Sequence, residues 1–196
     1  MGKLVFITGG ARSGKSRFAE MLAHRHPGRV CYIATAVIAD EEMARRVALH
    51  RRRRPPEWDT LECEGSLIAS LHQAAQDHNL LLVDCLTLYL ARFLPSDLSQ
   101  DTPLHNELEE KVHKQVDEEI AAIIATVHGV AADVIIVSNE VGSGLVPPYP
   151  AGRLFRDLMG YANQILAREA EFAYIVIAGI PIDLKALHAT STPWQG

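Results

Sequence analysis

The sequence predicts an α/β fold: a mostly parallel sheet with helices on both faces. Three observations lead to this. Short apolar, β-branched runs alternate with stretches of helical periodicity, the pattern of strand–helix–strand units. One run, Val134-Ile135-Ile136-Val137, is apolar at every position, as a strand buried on both faces requires. A glycine-rich segment from Gly9 to Ser16 separates the first strand from the first helix.

In chain order, Leu4 to Thr8 reads as the first strand and Ser16 to Arg25 as the helix behind it. Val30 to Ala34 is the second strand. Asp40 to Arg54 reads as a helix, with acids at its start, arginines at its end and Pro55-Pro56 to stop it, which complements the helix dipole. Leu80 to Val83 is a strand, and Pro95 to Pro103 a surface loop. Asn106 to Val127 is a long helix, with Leu108, Val112, Val116, Ile120, Ile123, Ile124 and Val127 at helical spacing. Val134 to Ser138 is a strand; Gly142 to Gly152, with three prolines and three glycines, a loop; and Tyr174 to Ala178 a strand. Residues after Leu187 read as a loose tail.

With 196 residues and 48% hydrophobic content, the chain is expected to form one domain around one core. A net charge of -5 argues against a nucleic-acid partner, so any anion site is local. Cys31, Cys63 and Cys85 form no C-x-x-C pair, which suggests neither a disulfide framework nor a zinc site. The chain starts on a strand-like run with no signal-peptide pattern, and no apolar stretch reaches the roughly 18 residues of a membrane helix. The expectation is a cytoplasmic protein without a membrane span.

Gly9-Gly10-Ala11-Arg12-Ser13-Gly14-Lys15-Ser16 matches G-x-x-x-x-G-K-[ST] between a strand and a helix, the context of a phosphate-binding P-loop. Glycines let successive N–H groups and the helix N-terminus face an anion. Lys15 would reach the outer phosphates of a nucleoside triphosphate, and the Ser16 hydroxyl would ligate Mg²⁺. Asp84, ending the strand Leu81-Leu82-Val83-Asp84, is the candidate acid for the same metal; on position alone it equally suits a strand-end cap. Glu140 follows another strand and would share the crevice beyond the strand ends, against the alternative of a solvated loop acid.

His50 precedes Arg51, Arg52, Arg53 and Arg54. An arginine run is often only a solvated face; near a phosphate cradle it would bind a triphosphate and stabilise departing negative charge. Surrounding cations disfavour imidazolium, so a neutral His50 could serve as a nucleophile toward phosphorus. The remaining histidines have no metal-ligand spacing; His24, His26, His72, His78, His105 and His113 read as structural.

Thr8 to Ser16, Tyr32-Ile33-Ala34-Thr35, Asp40-Glu41-Glu42-Met43, His50, Glu57-Trp58, Ser138-Asn139-Glu140-Val141-Gly142, Phe155-Arg156-Asp157 and Asn163-Gln164 occur in order. This set closely resembles the bifunctional adenosylcobinamide kinase / adenosylcobinamide-phosphate guanylyltransferase family of cobalamin biosynthesis, over essentially residues 3–185. The resemblance implies a P-loop NTPase-like, RecA-like fold and two reactions. Adenosylcobinamide is phosphorylated, then GMP passes from GTP to that phosphate through guanylylated His50, with pyrophosphate released. It implies GTP contacts at Gly9, Gly10, Ala11, Arg12, Ser13, Gly14, Lys15 and Ser16, at Ala34, Thr35 and Ala36, at Arg51 through Arg54, and at Glu62 and Asp84. It further implies GTP or ATP with Mg²⁺ as cofactors, adenosylcobinamide as the small-molecule partner, and a homo-oligomer, a trimer. Relatives often carry Glu at Asp84; the shorter side chain favours a water-mediated metal contact. Competing readings are another small-molecule P-loop kinase, for which His50 is incidental, and a nucleotide-dependent switch.

Overall fold

Alternation along each strand explains the fold. Leu4 and Phe6, Cys31 and Ile33, Leu81 and Val83, and Val134 and Ile136 point into one buried cluster; Ile7, Tyr32, Leu80, Leu82, Ile135 and Val137 point into another. Side chains of a strand alternate faces, so runs that are apolar throughout need cover on both sides. The computed structural model describes residues 2–36, 41, 45, 54–95 and 105–187.

Among the described residues the strands are β1 (Leu4–Thr8), β2 (Val30–Ala34), β3 (Asp59–Glu62), β4 (Leu80–Asp84), β5 (Asp133–Val137), β6 (Phe172–Ile177) and β7 (Ile180–Asp183). The helices are α1 (Lys15–His24), α2 (Leu67–Ala74), α3 (Leu86–Leu90), α4 (Asn106–Gly129) and α5 (Pro150–Glu169), with a 3-10 turn at Ala91–Phe93. One sheet runs in the order β3-β2-β4-β5-β1-β6-β7. Every neighbouring pair is parallel except β6 with β7. The α/β, mostly parallel expectation holds, and the strand order stands β5 between the strand that feeds the glycine loop and the strand that ends in Asp84.

The larger core lies under α2, α4 and α5, whose Leu71, Val116, Ile120, Ile123, Leu158 and Leu166 are buried. The smaller core lies under α1, where Phe18 meets Tyr174 edge to face at 5.1 Å. Burying one such large apolar side chain stabilises by roughly 1.5–3 kcal/mol, so the two layers hold the sheet from both sides.

Several elements differ from the sequence expectation. α5 begins at Pro150, inside the loop expected to run to Gly152, because proline suits the first helical position. Arg54 lies in a bend rather than at the end of a helix, while Glu41 and Arg45 are helical as expected; the rest of Asp40 to Arg54 is outside the described residues. The short edge strands β3 and β7 and the helices α2, α3 and α5 add to the elements expected. The tail after Leu187 and most of the Pro95 to Pro103 loop are likewise outside the described residues.

Candidate active site

The parallel strands all present their carboxyl ends at one edge, where α/β folds place ligands. Register makes this edge a row. Glu62 pairs with Ala34, Ala34 with Asp84, and Asp84 with Val137. Four residues far apart in the chain therefore lie on adjacent strands at one level, and Val137 pairs with Ile7 just before the glycine loop.

The loop has the backbone a phosphate cradle needs. Gly9 has φ 154° and Gly14 φ 99°. A Cβ at Gly9 would meet the Val176 carbonyl at 2.5 Å and the Ser13 Oγ at 2.7 Å, so close packing, as well as dihedral freedom, selects glycine there. Arg12 also lies at positive φ, 59°. Gly10, Ala11 and Arg12 form the exposed outer arch, and Ser13, Gly14 and Ser16 are half-buried. Backbone bonds pin both limbs: the Glu140 amide donates to the Gly9 carbonyl at 3.0 Å and the Gly179 amide to the Ser13 carbonyl at 2.8 Å. The first helical bond runs from the Phe18 amide to the Gly14 carbonyl. The amides of Lys15, Ser16 and Arg17 thus remain helix-end donors, the arrangement that holds anions.

Lys15 is 8% exposed and its Nζ donates to the Gly10 carbonyl at 3.1 Å, closing over the arch. Burial lowers its pKa, while nearby Cys85 and Asp84 pull the other way; an incoming phosphate would strengthen the charged form. Asp84 is half-buried and accepts a hydrogen bond from the Tyr32 hydroxyl at Oδ2, 2.9 Å. Leu80, Leu82 and Asp84 alternate onto the sheet face covered by α1, which sets the carboxylate on the side of Lys15 and Ser16. The Ser16 hydroxyl and the Asp84 Oδ1 have no hydrogen-bond partner among the described residues.

Ala34 and Thr35 are buried and Ala36 is half-buried beyond β2. The Thr35 Oγ1 donates to the Cys85 carbonyl at 2.7 Å and accepts from the Cys85 amide at 2.8 Å, tying the end of β2 to the end of β4. Glu62 is exposed at the end of β3. Glu140 takes hydrogen bonds from the Gly142 amide at 2.7 Å and the Ser143 amide at 3.1 Å. Burial opposes its charge, but these bonds from Ser143 and Gly142 outweigh it and lower its pKa. Its carboxylate therefore braces its own turn at the edge of the crevice. Arg54 lays its guanidinium 3.3 Å over the Tyr32 ring and donates to Thr60 Oγ1. His50, Arg51, Arg52 and Arg53 lie outside the described residues.

Arg92 and Thr87 carry no sequence signal, whereas Asn163 belongs to one of the ordered motif blocks. Arg92 Nη2 donates to the carbonyls of Thr35 and Cys63, each at 2.7 Å, and Nη1 to that of Gly65 at 3.3 Å, clamping the segments beyond β2 and β3. Thr87 accepts from the Asn139 amide at 2.8 Å, and Asn163 binds the Ser138 hydroxyl and the Asn139 carbonyl, fixing the chain beyond β5. Of the other histidines, His78 is partly buried, held between Asp59 and the Ala74 carbonyl, and so is structural. Cys31, Cys63 and Cys85 are free and buried.

The comparisons with known proteins agree with this geometry. The family model described as cobinamide kinase / cobinamide phosphate guanyltransferase matches residues 5–184. The chain is 41% identical over 179 residues to the bifunctional adenosylcobalamin biosynthesis protein CobP of Pseudomonas aeruginosa, covering 91% of this chain and 95% of that one. It is 37% identical over 182 residues to the bifunctional adenosylcobalamin biosynthesis proteins CobU of Salmonella typhimurium and of Escherichia coli, covering 93% of this chain and 99% of each. With its P-loop intact at the carboxyl edge of a parallel sheet, the chain belongs to the bifunctional cobinamide kinase / cobinamide phosphate guanyltransferase family.

Proposed function

We propose that this chain phosphorylates adenosylcobinamide and then transfers GMP from GTP to the resulting phosphate, using one nucleotide site and His50 as the intermediate carrier. The observation that carries this reading is the family match over residues 5–184, a span that contains every residue assigned below.

In the first reaction the amides of Lys15, Ser16 and Arg17 and the Lys15 ammonium hold the outer phosphates of ATP or GTP. The acceptor hydroxyl attacks the γ-phosphorus, its proton leaves to an acid at the strand ends, and the nucleoside diphosphate departs. Asp84 and Glu140 are the candidates; Glu140, already committed to Gly142 and Ser143, is better suited to shaping the crevice than to taking that proton. In the second reaction a neutral His50 nitrogen attacks the α-phosphorus of GTP. A P–N bond forms, the α–β P–O bond breaks, and pyrophosphate leaves. An oxygen of adenosylcobinamide phosphate then attacks the same phosphorus, the P–N bond breaks, and adenosylcobinamide-GDP is released. Arg51, Arg52, Arg53 and Arg54 would balance the charge that gathers on the leaving phosphates. Ala34, Thr35, Ala36 and Glu62 would line the remainder of the nucleotide.

The residues present fit Mg²⁺. Ser16 and Asp84 supply two hard oxygen donors, and no group of three His, Cys, Asp or Glu that could cage a metal occurs among the described residues. That suits an ion carried in on phosphates and water rather than in a protein cage. When bound, it would neutralise phosphate charge during transfer.

A homo-oligomer, a trimer by family resemblance, and a cytoplasmic location complete the reading, the latter in keeping with three unpaired thiols. No helix among the described residues is long and apolar enough to cross a membrane.

The test is incubation of the full chain with GTP labelled at the α-phosphate, followed by peptide mass spectrometry. An acid-labile GMP increment on the His50 peptide, lost in His50→Ala while cobinamide phosphorylation persists, is expected. Phosphorylation with no such adduct would leave a kinase alone.

A further inference from the structure

We propose that Tyr32 is a positioning residue for Asp84, and that Arg54 acts on this acid through the Tyr32 ring. The proposal rests on the reading of Asp84 as the acid that serves Mg²⁺.

Tyr32 lies in the middle of β2, 2% exposed, in the apolar layer beneath α1. Phenylalanine would fill that layer as well, whereas a buried tyrosine hydroxyl requires a partner. Register supplies one. Tyr32 pairs with Leu82, and Asp84, two residues further along β4 on the same face, is its diagonal neighbour. The hydroxyl donates to Asp84 Oδ2 at 2.9 Å. An ionised carboxylate can only accept, so the hydroxyl is the donor in this bond.

The terminal torsion of a carboxylate is broad, so an unrestrained Asp84 would sample many planes. Tying Oδ2 to a fixed ring selects one, and leaves Oδ1 without a hydrogen bond among the described residues, as the oxygen turned over to metal or metal-bound water. The short aspartate side chain makes that orientation more consequential, since the group has less reach with which to correct itself.

Arg54 completes the chain. Its Cζ lies 3.3 Å from the Tyr32 ring centroid, and its Nη1 donates to Thr60 at 3.3 Å. A cation on the ring face is attracted to it, draws electron density from the phenol and makes its hydroxyl a stronger donor. The last arginine of the run is thus linked to the acid through one aromatic ring.

The experiment measures equilibrium binding of a fluorescent GTP analogue to the full chain, with MgCl₂ and with EDTA, together with kcat and KM. Tyr32→Phe keeps the ring and removes only the hydroxyl. Its expected signature is a loss of about tenfold in the magnesium-dependent gain in affinity, a raised magnesium requirement for turnover, and unchanged affinity in EDTA. Arg54→Met should lose part of that gain alone and nothing further when combined with Tyr32→Phe, the non-additivity of a shared path. Equal losses in MgCl₂ and EDTA for Tyr32→Phe, or additive losses in the double variant, would overturn the proposal. Asp84→Asn separates the two levels: if it keeps the full magnesium gain, the reading of Asp84 fails; if it loses that gain while Tyr32→Phe retains it, the positioning role alone fails.

Discussion

Replacing Arg92 with alanine should destabilise the fold more than any other single change at a half-buried polar position in this region. Thr35 is 0% and Cys63 2% exposed, and the carbonyls of both depend on the Arg92 Nη2 at 2.7 Å. Stranding a buried carbonyl costs roughly 1–3 kcal/mol. Two such groups set the scale, and because Arg92 is itself half-buried, water can follow into the gap and relieve part of the loss. The expected net effect is about 2–4 kcal/mol, which for a chain of this size lowers Tm by about 5–15 °C. Arg92→Lys keeps the charge but presents no planar fork, so it should recover only part of the loss. Urea titration followed by circular dichroism measures it. If the segment beyond β2 also holds the nucleotide, Arg92→Lys will raise KM for GTP with kcat largely preserved. An Arg92→Ala protein within about 0.5 kcal/mol of the parent would refute the claim that the clamp holds these strand ends.

Other consequences follow from single contacts. Gly9→Ala and Gly10→Ala should separate: the first forces a Cβ to within 2.5 Å of the Val176 carbonyl, the second meets nothing within 4 Å, so thermal melts should show a loss above about 2 kcal/mol for Gly9→Ala and near-parental stability for Gly10→Ala. Equal melts would contradict the loop geometry. His78 first, and Arg29 after it, hold the Asp59 pKa below its ordinary value. That depressed group stabilises above its unfolded pKa and loses its contribution as pH falls through the folded one, so Asp59→Asn should flatten the acid limb of a stability-against-pH curve measured by urea midpoints. Burial, followed by Asp59 for Cys31 and Asp84 for Cys85, pushes both thiols up to about 11. A chromogenic disulfide reagent at neutral pH should therefore leave both unmodified until urea unfolds the chain; rapid labelling of the native protein would show that they are accessible.

Local chemistry wrote the central strands and the glycine loop plainly. Val134 to Val137 is apolar throughout because both sheet faces are covered, Gly9 is needed where no Cβ fits, and Gly14 where φ is 99°. β3 was illegible for the opposite reason. Its Asp-Thr-Leu-Glu is polar, short and at an edge, and it is a strand because β2 offers it a ladder. β7 carries Pro181, which an edge strand tolerates but which reads as a break. α5 could have been found. Leu154, Leu158, Ala162 and Leu166 recur every four residues, yet the proline-rich stretch before them reads as a loop. The Tyr32–Asp84 bond spans 52 positions and the Arg92–Thr35 bond 57; no local pattern encodes a contact that exists only once β2 and β4 are paired.

The same distinction bears on how one site can serve two transfers. Holding a triphosphate is a task for rigid groups, and the groups proposed for it are fixed from several sides: the loop by the amides of Glu140 and Gly179, the end of β2 by Cys85 and Arg92, Asp84 by Tyr32. Choosing between the γ- and the α-phosphorus is a different task, because the attacking atom, the phosphorus attacked and the leaving group all change. Preorganised electrostatics can be common to both reactions, whereas the near-attack geometry cannot. On the proposed function it follows that substitutions at Lys15 or Asp84 should depress both activities together, and His50→Ala only the second. A Lys15 variant that lost phosphorylation of cobinamide but still accumulated the GMP adduct at the parental rate would show two nucleotide sites where one is proposed.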